Sequence, residues 1–400
     1  MVAPVEPHTK KIWLTTAIVV VVLAALGVIL FFVLRARSDT TATTNTAVVT
    51  QTQTPTATPV VPPATSKATE TVVSNLEIPW ELVFVLDNHM LVTERAGTLL
   101  HISDKKTALP IAGVEHLGES GLLGLELHPD FATNHQLYLY LTTRTGDKIT
   151  NRVDRYEFDG VSLSNKKTII ENIPGEANHD GGRIKFGPDG KLYIATGDGQ
   201  DQFQAQNTKV LHGKILRVNE DGSIPSDNPF GNAVWSIGHR NVQGLAWDDQ
   251  GRLWATEHGP SADCPLCGQD ELNLIEKGKN YGWPTIVGDQ KQDGLVSPIL
   301  HSGADKDTWA PSGMVFYKKP GAKQGSFFFA GLRGETLYEA KLTGDRSVKL
   351  VEHFKGQFGR LRTVVIGPDG FFYLLTNNTD GRGTPKEGDD KIIKIDPTQL

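Results

Sequence analysis

One short pattern returns along this chain and restricts its fold more than any other feature. A turn rich in Asp, Asn and Gly leads into four or five residues that alternate or are wholly apolar, often ending in Thr. It reads Leu86-Asp-Asn-His-Met-Leu-Val-Thr93, then Asn134-His-Gln-Leu-Tyr-Leu-Tyr-Leu-Thr142, then Pro188-Asp-Gly-Lys-Leu-Tyr-Ile-Ala-Thr196. It returns as Asp249-Gln-Gly-Arg-Leu-Trp-Ala-Thr256 and Pro368-Asp-Gly-Phe-Phe-Tyr-Leu-Leu-Thr376. A weaker relative, Gly325-Ser-Phe-Phe-Phe-Ala-Gly-Leu332, fills the gap between those two. Each copy reads as a β-strand entered from a tight turn. Six copies about 45 to 75 residues apart are the signature of a β-propeller with long insertions. No part of the body carries a sustained 3.6-residue apolar period, so helices should be few and short. The expected fold is all-β, a six-bladed β-propeller over residues 72–400. Its last strand, Lys391-Ile-Ile-Lys-Ile-Asp396, should pair with one near the start of the domain. That closes the ring and removes an open edge.

The segment before the propeller has a different character. Ile12 to Leu34 is a run of 23 residues without a charge, about the span of a bilayer core. It reads as an uncleaved signal anchor, with a cleaved signal peptide as the competing reading. Residues 1–11 would then be a short cytoplasmic segment. Residues 35–71, dominated by Thr, Ala, Pro and Val, would be a flexible stalk to an extracytoplasmic domain. Lysines and arginines flank the apolar run on both sides, so the positive-inside rule is close to a tie, which the stalk breaks. With a net charge of −6 and no Lys/Arg cluster in the body, a nucleic-acid partner finds no support. The two cysteines, Cys264 and Cys267, default to a local disulfide outside the cytoplasm.

Polar residues gather where the repeat's strands begin and end. Asn178-His-Asp-Gly-Gly-Arg183 places His179 beside a carboxylate, the minimum for a general base with a fixed tautomer. Asp198 follows the strand after it. Glu119 is bracketed by glycines in Gly118-Glu-Ser-Gly121. Arg240, Asn241 and Gln243 precede one strand, and Glu257-His-Gly-Pro260 ends the next. Asp270-Glu-Leu-Asn273, Asn280-Tyr-Gly-Trp-Pro284 and Gly359-Arg-Leu-Arg362 complete the set. Any one of these alone is more simply a solvated turn. Their position beside blade-like strands would collect them at the mouth of a central channel. There Arg240, Arg333, Arg360 and Arg362 would form an electropositive pocket suited to a polycarboxylate rather than to a neutral sugar alone.

Taken together and in this order, these motifs resemble the soluble-type, pyrroloquinoline-quinone-dependent sugar dehydrogenases, over about residues 74 to 396. The resemblance implies oxidation of an aldose sugar at C1 to a lactone, with pyrroloquinoline quinone (PQQ) and Ca²⁺ as cofactors and a respiratory or soluble electron acceptor. It implies that His179 is the base, oriented by Asp198, and that Arg240 meets the quinone carbonyls beside Asn241 and Gln243. Arg360 and Arg362 would bind the cofactor's carboxylates, with His258 and Arg333 in the same set. His258 stands where the glucose enzyme has glutamine, and Arg333 where it has lysine. Backbone carbonyls of Gly259 and Pro260 would hold the catalytic calcium, Glu271 and Tyr281 a second, structural one, and Glu119 would face the substrate. The Cys264–Cys267 stretch looks like an insertion between the two calcium segments. Loops that narrow substrate choice look short, which favours a broad range of aldoses. Two other readings stand beside this one. A calcium-dependent propeller lactonase would need a carboxylate-rich metal site and no arginine cluster. A non-enzymatic extracellular binding propeller would have no use for His179 or Arg240.

Overall fold

Each copy of the repeat becomes the second strand of a four-stranded antiparallel sheet, and there are six such sheets. The computed structural model describes residues 68–260, 267–304 and 308–400. The second strands are Met90–Glu94, Gln136–Thr145, Leu192–Ala195, Leu253–Glu257, Ser326–Gly331 and Phe372–Thr376. We number the blades 1 to 6 in that order. Their first strands are Pro79–Phe84, Leu122–Leu127, Ile184–Phe186, Val242–Trp247, Pro311–Tyr317 and Leu361–Ile366. Each of these touches the first strand of the blade before and of the blade after, and the sixth touches the first. The first strands therefore line a closed central channel. Among the described residues the only α-helix is the four-residue Phe131–Asn134, with three short 3₁₀ turns.

The ring closes as expected but starts earlier. Blade 6 takes three strands from the end of the chain and its outermost strand, Thr69–Val73, from the beginning. Thr69 pairs with Ile395, Glu70 with Lys394, Thr71 with Ile393 and Val73 with Ile392. The boundary expected at residue 72 is thus corrected: the end of the presumed stalk is a strand. Alternating Thr-Glu-Thr-Val-Val supplies β-prone residues with an apolar end that packs beside Ile392. The apolar run Ile12–Leu34 and the stalk up to residue 67 lie outside the described residues. Among the described residues no helix is long and apolar enough to cross a membrane.

There is one apolar cluster between each pair of neighbouring blades rather than a single core. Phe327-Phe-Phe329 shows why the repeat's strands can be apolar throughout. Side chains alternate across a strand. Phe327 and Phe329 accordingly pack toward blade 4, and Phe328 toward blade 6.

This topology decides where chemistry can sit. The repeat's turns connect first strands to second strands and lie on one face of the ring. The residues that enter a first strand or leave a second strand lie on the other face. Glu119, His179, Arg240 and Arg360 enter; Asp198, His258 and Arg333 leave.

Candidate active site

That second face opens into a cavity of about 1050 Å³, lined by Glu119, His179, Asp198, Arg240, Gln243, His258, Pro260, Arg333, Arg360 and Arg362 among others. Ten of the fourteen residues expected from the sequence therefore converge on it. Asn241, Gly259, Glu271 and Tyr281, with Pro260, are the ones whose placement needs separate description.

His179 is held on an unfavourable backbone. Its φ is +64°, a left-handed value that a non-glycine residue adopts only when its surroundings fix it. Its N–H donates to Glu119 Oε2 at 3.3 Å. Its carbonyl lies so close to Gly197 that a Cβ there would come within 1.7 Å of the oxygen, so position 197 must be glycine. The ring Nδ1 meets Asp198 Oδ1 at 2.8 Å, leaving Nε2 as the ring nitrogen on the cavity side. Asp198 also accepts from Trp283 Nε1 at 2.8 Å and from the backbone N–H of Gln200 at 2.9 Å. Burial alone would push the Asp198 carboxyl up. The hydrogen bond and charge of His179, the Trp283 N–H and the Arg240 charge outweigh burial and hold it below the usual carboxylate range. A fixed carboxylate on Nδ1 sets the tautomer in which Nε2 can accept a proton.

The same cavity is rich in cations. Six arginines, Arg95, Arg240, Arg333, Arg360, Arg362 and Arg382, line the cavity against four carboxylates, Glu119, Asp198, Asp270 and Asp380. Arg362 is fixed by neutral acceptors, donating to Asn377 Oδ1 at 2.7 Å and Gln243 Oε1 at 2.9 Å. Burial and the neighbouring Arg95 push its guanidinium down to about 9, which describes a site short of negative charge. Arg360 donates to Asp380 Oδ2 through Nε at 3.2 Å and Nη2 at 2.9 Å. Arg240 lies 5.4 Å from the Trp283 ring centre and donates to the His258 carbonyl at 3.3 Å. Burial drives His258 down to about 3, with Arg240 and Arg362 adding to it against Glu119, so its imidazole is neutral.

Several groups await a partner. The Nε2 of His258 and the Nδ2 of Asn241 are buried with no hydrogen-bond partner. Asn241 is fully buried, and its Oδ1 accepts from the Gly181 N–H at 3.0 Å. Pro260 lines the cavity, and its carbonyl accepts from the Gly268 N–H at 3.0 Å. Gly259 is buried, tied to Asp270 Oδ1 at 2.9 Å through its N–H. Glu271, next to the cavity-lining Asp270, is buried in an oxygen-rich group. Burial and the charge of Glu257 push its carboxyl up to about 8. Asn273 Nδ2 donates to it at 3.0 Å, while Asn273 Oδ1 and Gln269 Oε1 are buried without a donor. Tyr281 is stacked on His239 at 4.8 Å, and its hydroxyl donates to the Leu274 carbonyl at 2.6 Å and accepts from the Glu276 N–H at 2.8 Å. Only its own carbonyl could serve a cation. Cys267 is half of a disulfide; Cys264 lies outside the described residues.

The sequence reading passed over Arg95, Gln200, Asp380 and Arg382. It also passed over Lys214, whose fully buried Nζ donates to the carbonyls of Gln204, Ala205 and His212 at 2.8, 3.0 and 2.7 Å. That ammonium clamps the 3₁₀ turn Gln202–Gln206 at the cavity rim.

With this geometry in place, residues 76–385 match the Glucose / Sorbosone dehydrogenase family. The chain belongs to that family. It is 34% identical over 358 residues to the aldose sugar dehydrogenase YliI of Escherichia coli, covering 82% of this chain and 92% of that protein. It is 35% identical over 275 residues to quinoprotein glucose dehydrogenase B of Acinetobacter calcoaceticus, covering 59% of this chain and 56% of that one. Among solved structures, the PQQ-bound form of the aldose sugar dehydrogenase of Streptomyces coelicolor superposes with a TM-score of 0.74 at 39% identity, over 82% of this chain and 96% of that one. The six-bladed architecture and the sugar dehydrogenase family thus agree with the expectation drawn from the repeats and motifs.

Proposed function

We propose that the protein oxidises aldose sugars at C1 to lactones with PQQ and Ca²⁺ as cofactors. The observation that carries this reading is His179, aligned by Asp198, in one cavity with six arginines. The residues fit a polycarboxylate quinone. Six guanidinium groups exceed the local carboxylates, and the buried Nε2 of His258 and Nδ2 of Asn241 lack partners. Arg333, Arg360 and Arg362 would hold its carboxylates, and Arg240, Asn241, Gln243 and His258 its ring edge. The carbonyls of Gly259 and Pro260 would hold calcium, which accepts backbone oxygen ligands. Glu271, in its oxygen-rich surroundings, with the Tyr281 carbonyl, would hold the second calcium.

When bound, the quinone supplies the acceptor for a hydride, and calcium supplies positive charge that polarises it. The chain's own residues do the rest. As the hydride leaves C1, the anomeric hydroxyl must lose its proton, and His179 Nε2 is placed to take it. Asp198 holds the ring and stabilises the imidazolium that results. Arg240, fixed against Trp283, offers a donor where negative charge develops. Glu119 and Asn178 face the sugar's hydroxyls.

Among the described residues no group of three or more His, Cys, Asp or Glu is arranged to hold a metal ion, so no specific observation favours the lactonase reading. We further propose that Ile12–Leu34 anchors the domain on the extracytoplasmic side, with a respiratory or soluble carrier reoxidising it. Fractionation of tagged full-length protein with protease protection tests that part. The test of the activity is titration of purified metal-free protein with the quinone and Ca²⁺. Aldose-to-dye electron transfer should appear only with both, and NAD should not substitute. Activity with NAD alone, or none with both cofactors across several aldoses, would overturn the reading.

A further inference from the structure

His179 sits inside a ring of hydrogen bonds that no single blade completes. Its N–H donates to Glu119 Oε2, and its Nδ1 meets Asp198 Oδ1. Asp198 Oδ1 accepts from the Gln200 N–H at 2.9 Å, and Gln200 Oε1 accepts from Asn178 Nδ2 at 3.0 Å. Two ends remain, Glu119 Oε1 and Asn178 Oδ1. One side chain joins them: Arg382 donates through Nη1 to Glu119 and through Nη2 to Asn178 at 2.9 Å. Arg382 comes from the loop after the second strand of blade 6, 263 positions beyond Glu119 in the chain. Only closure of the propeller brings the two together.

We propose that Arg382 is a positioning residue for the base, the side chain that closes this ring and keeps His179 aimed. The proposal rests on the base role assigned above. His179 occupies a left-handed backbone conformation, which persists only while its surroundings fix it. Glu119 fixes its N–H, and Glu119's other oxygen is held by Arg382. The planar guanidinium reaches a carboxylate and an amide oxygen at once, which a single ammonium does less well. Burial alone would raise the Glu119 carboxyl; its neighbours, the Arg382 hydrogen bond and charge among them, outweigh burial and lower it to about 2, so the pair stays charged wherever the enzyme would work. A different role, as one more cation for the cofactor, fits less well. Its Nη1 is committed to the carboxylate of Glu119 and its Nη2 to Asn178, whereas Arg362 donates only to neutral acceptors.

The experiment uses the full-length protein with Arg382→Met and Arg382→Lys. Arg382 is half exposed, so neither change empties a core position. Arg382→Met should lower kcat at saturating quinone by roughly 10- to 100-fold, the scale of a misaimed catalytic group. Quinone affinity should move by less than about threefold, the pattern of an interaction away from the cofactor that matters in the transition state. Arg382→Lys, whose ammonium keeps the charge but bridges the two oxygens less well, should recover only part of the turnover. In the absence of quinone, the His179 amide should exchange its hydrogen at least about tenfold faster in the Met variant, because local opening sets that rate. Unchanged kcat, or a kcat loss matched by lost quinone affinity, overturns the proposal. If the parent chain oxidises no aldose with quinone and Ca²⁺, the enzymatic reading fails by itself. Hydrogen exchange then decides alone: faster exchange at His179 upholds the positioning, and unchanged exchange overturns it.

Discussion

At His179 the fold holds a residue on a costly backbone so that one ring nitrogen faces the cavity. On the proposed mechanism, replacing it separates the base from the scaffold. His179→Ala should lower kcat by roughly 10²- to 10⁴-fold, the range of a lost general base, while quinone titration gives near-normal affinity. Near-normal turnover at saturating quinone would remove His179 from the mechanism. The two arginines of Gly359-Arg-Leu-Arg362 should behave differently from each other, although the sequence reads them as equivalents. Arg362 donates to neutral acceptors, so Arg362→Ala loses chiefly a charge-assisted contact to the cofactor. About 1.5–3 kcal/mol of quinone affinity should go with it. Arg360 also neutralises Asp380, whose side chain is 3% exposed. Arg360→Ala removes the ion pair of that buried carboxylate and leaves it the Arg382 N–H as hydrogen-bond donor, which costs the fold itself. Thermal unfolding of the cofactor-free variants should therefore show a clear drop for Arg360→Ala and a smaller one for Arg362→Ala. Equal midpoints would mean that Asp380 finds another partner.

At the scale of strands and the loops between them, the sequence was most legible where the repeat is. All six copies became second strands, because an apolar run after a tight turn has few other ways to bury both faces. The residue two places beyond the repeat's threonine was legible in principle. Asp198 follows Thr196 by two, His258 follows Thr256, and Arg95 follows Thr93 by the same offset into the same cavity. Arg382 and Asp380 carry no such signal. They sit in a long loop, and their partners come from other blades. The support beneath His179 was equally hidden, and it carries a pH dependence. Asp180 Oδ1 accepts from Asn151 Nδ2 at 3.0 Å and from the Glu176 N–H at 3.1 Å, while Oδ2 has no partner. Burial raises its carboxyl to about 7, against an ordinary 3.8. A carboxyl raised on folding contributes stability below its unfolded pKa and loses it as pH rises through the folded value. That window runs from about pH 4 to about pH 7. Asp180→Asn keeps the acceptor and cannot ionise. It should match the parent's thermal midpoint near pH 4, exceed it at pH 8, and flatten the decline between. A variant less stable than the parent at pH 8 would show that the ionised form is the one the fold prefers.

For the whole molecule, the decisive feature is that the last blade is sewn from both ends of the domain. The strand Thr69–Val73 covers the outer edge of Ile392–Ile395 along four paired positions. Removing it would leave the backbone groups of that edge unpaired, at on the order of 1 kcal/mol for each lost hydrogen bond. It would also uncover Ile392, which is fully buried, and present a template for pairing with another chain. The expected boundary at residue 72 would have cut through this strand, so two truncations make a sharp comparison. A chain beginning at Ala68 keeps every pairing between Thr69 and Val73, and its propeller should unfold at the same temperature as that of the full chain in detergent. A chain beginning at Ser74 loses them all. Its midpoint should fall by about 5 °C, because a loss of several kcal/mol is divided by the large entropy of unfolding of a domain of this size. It should also form dimers or larger species detectable by light scattering at rest. The cavity side of the ring lies on the inner strands, away from this edge. Quinone affinity measured well below the midpoint should therefore stay close to that of the longer chain. If the Ser74 chain remained monomeric and equally heat-stable, ring closure would rest on contacts between inner strands alone, and the outer strand would be a cover rather than a clasp.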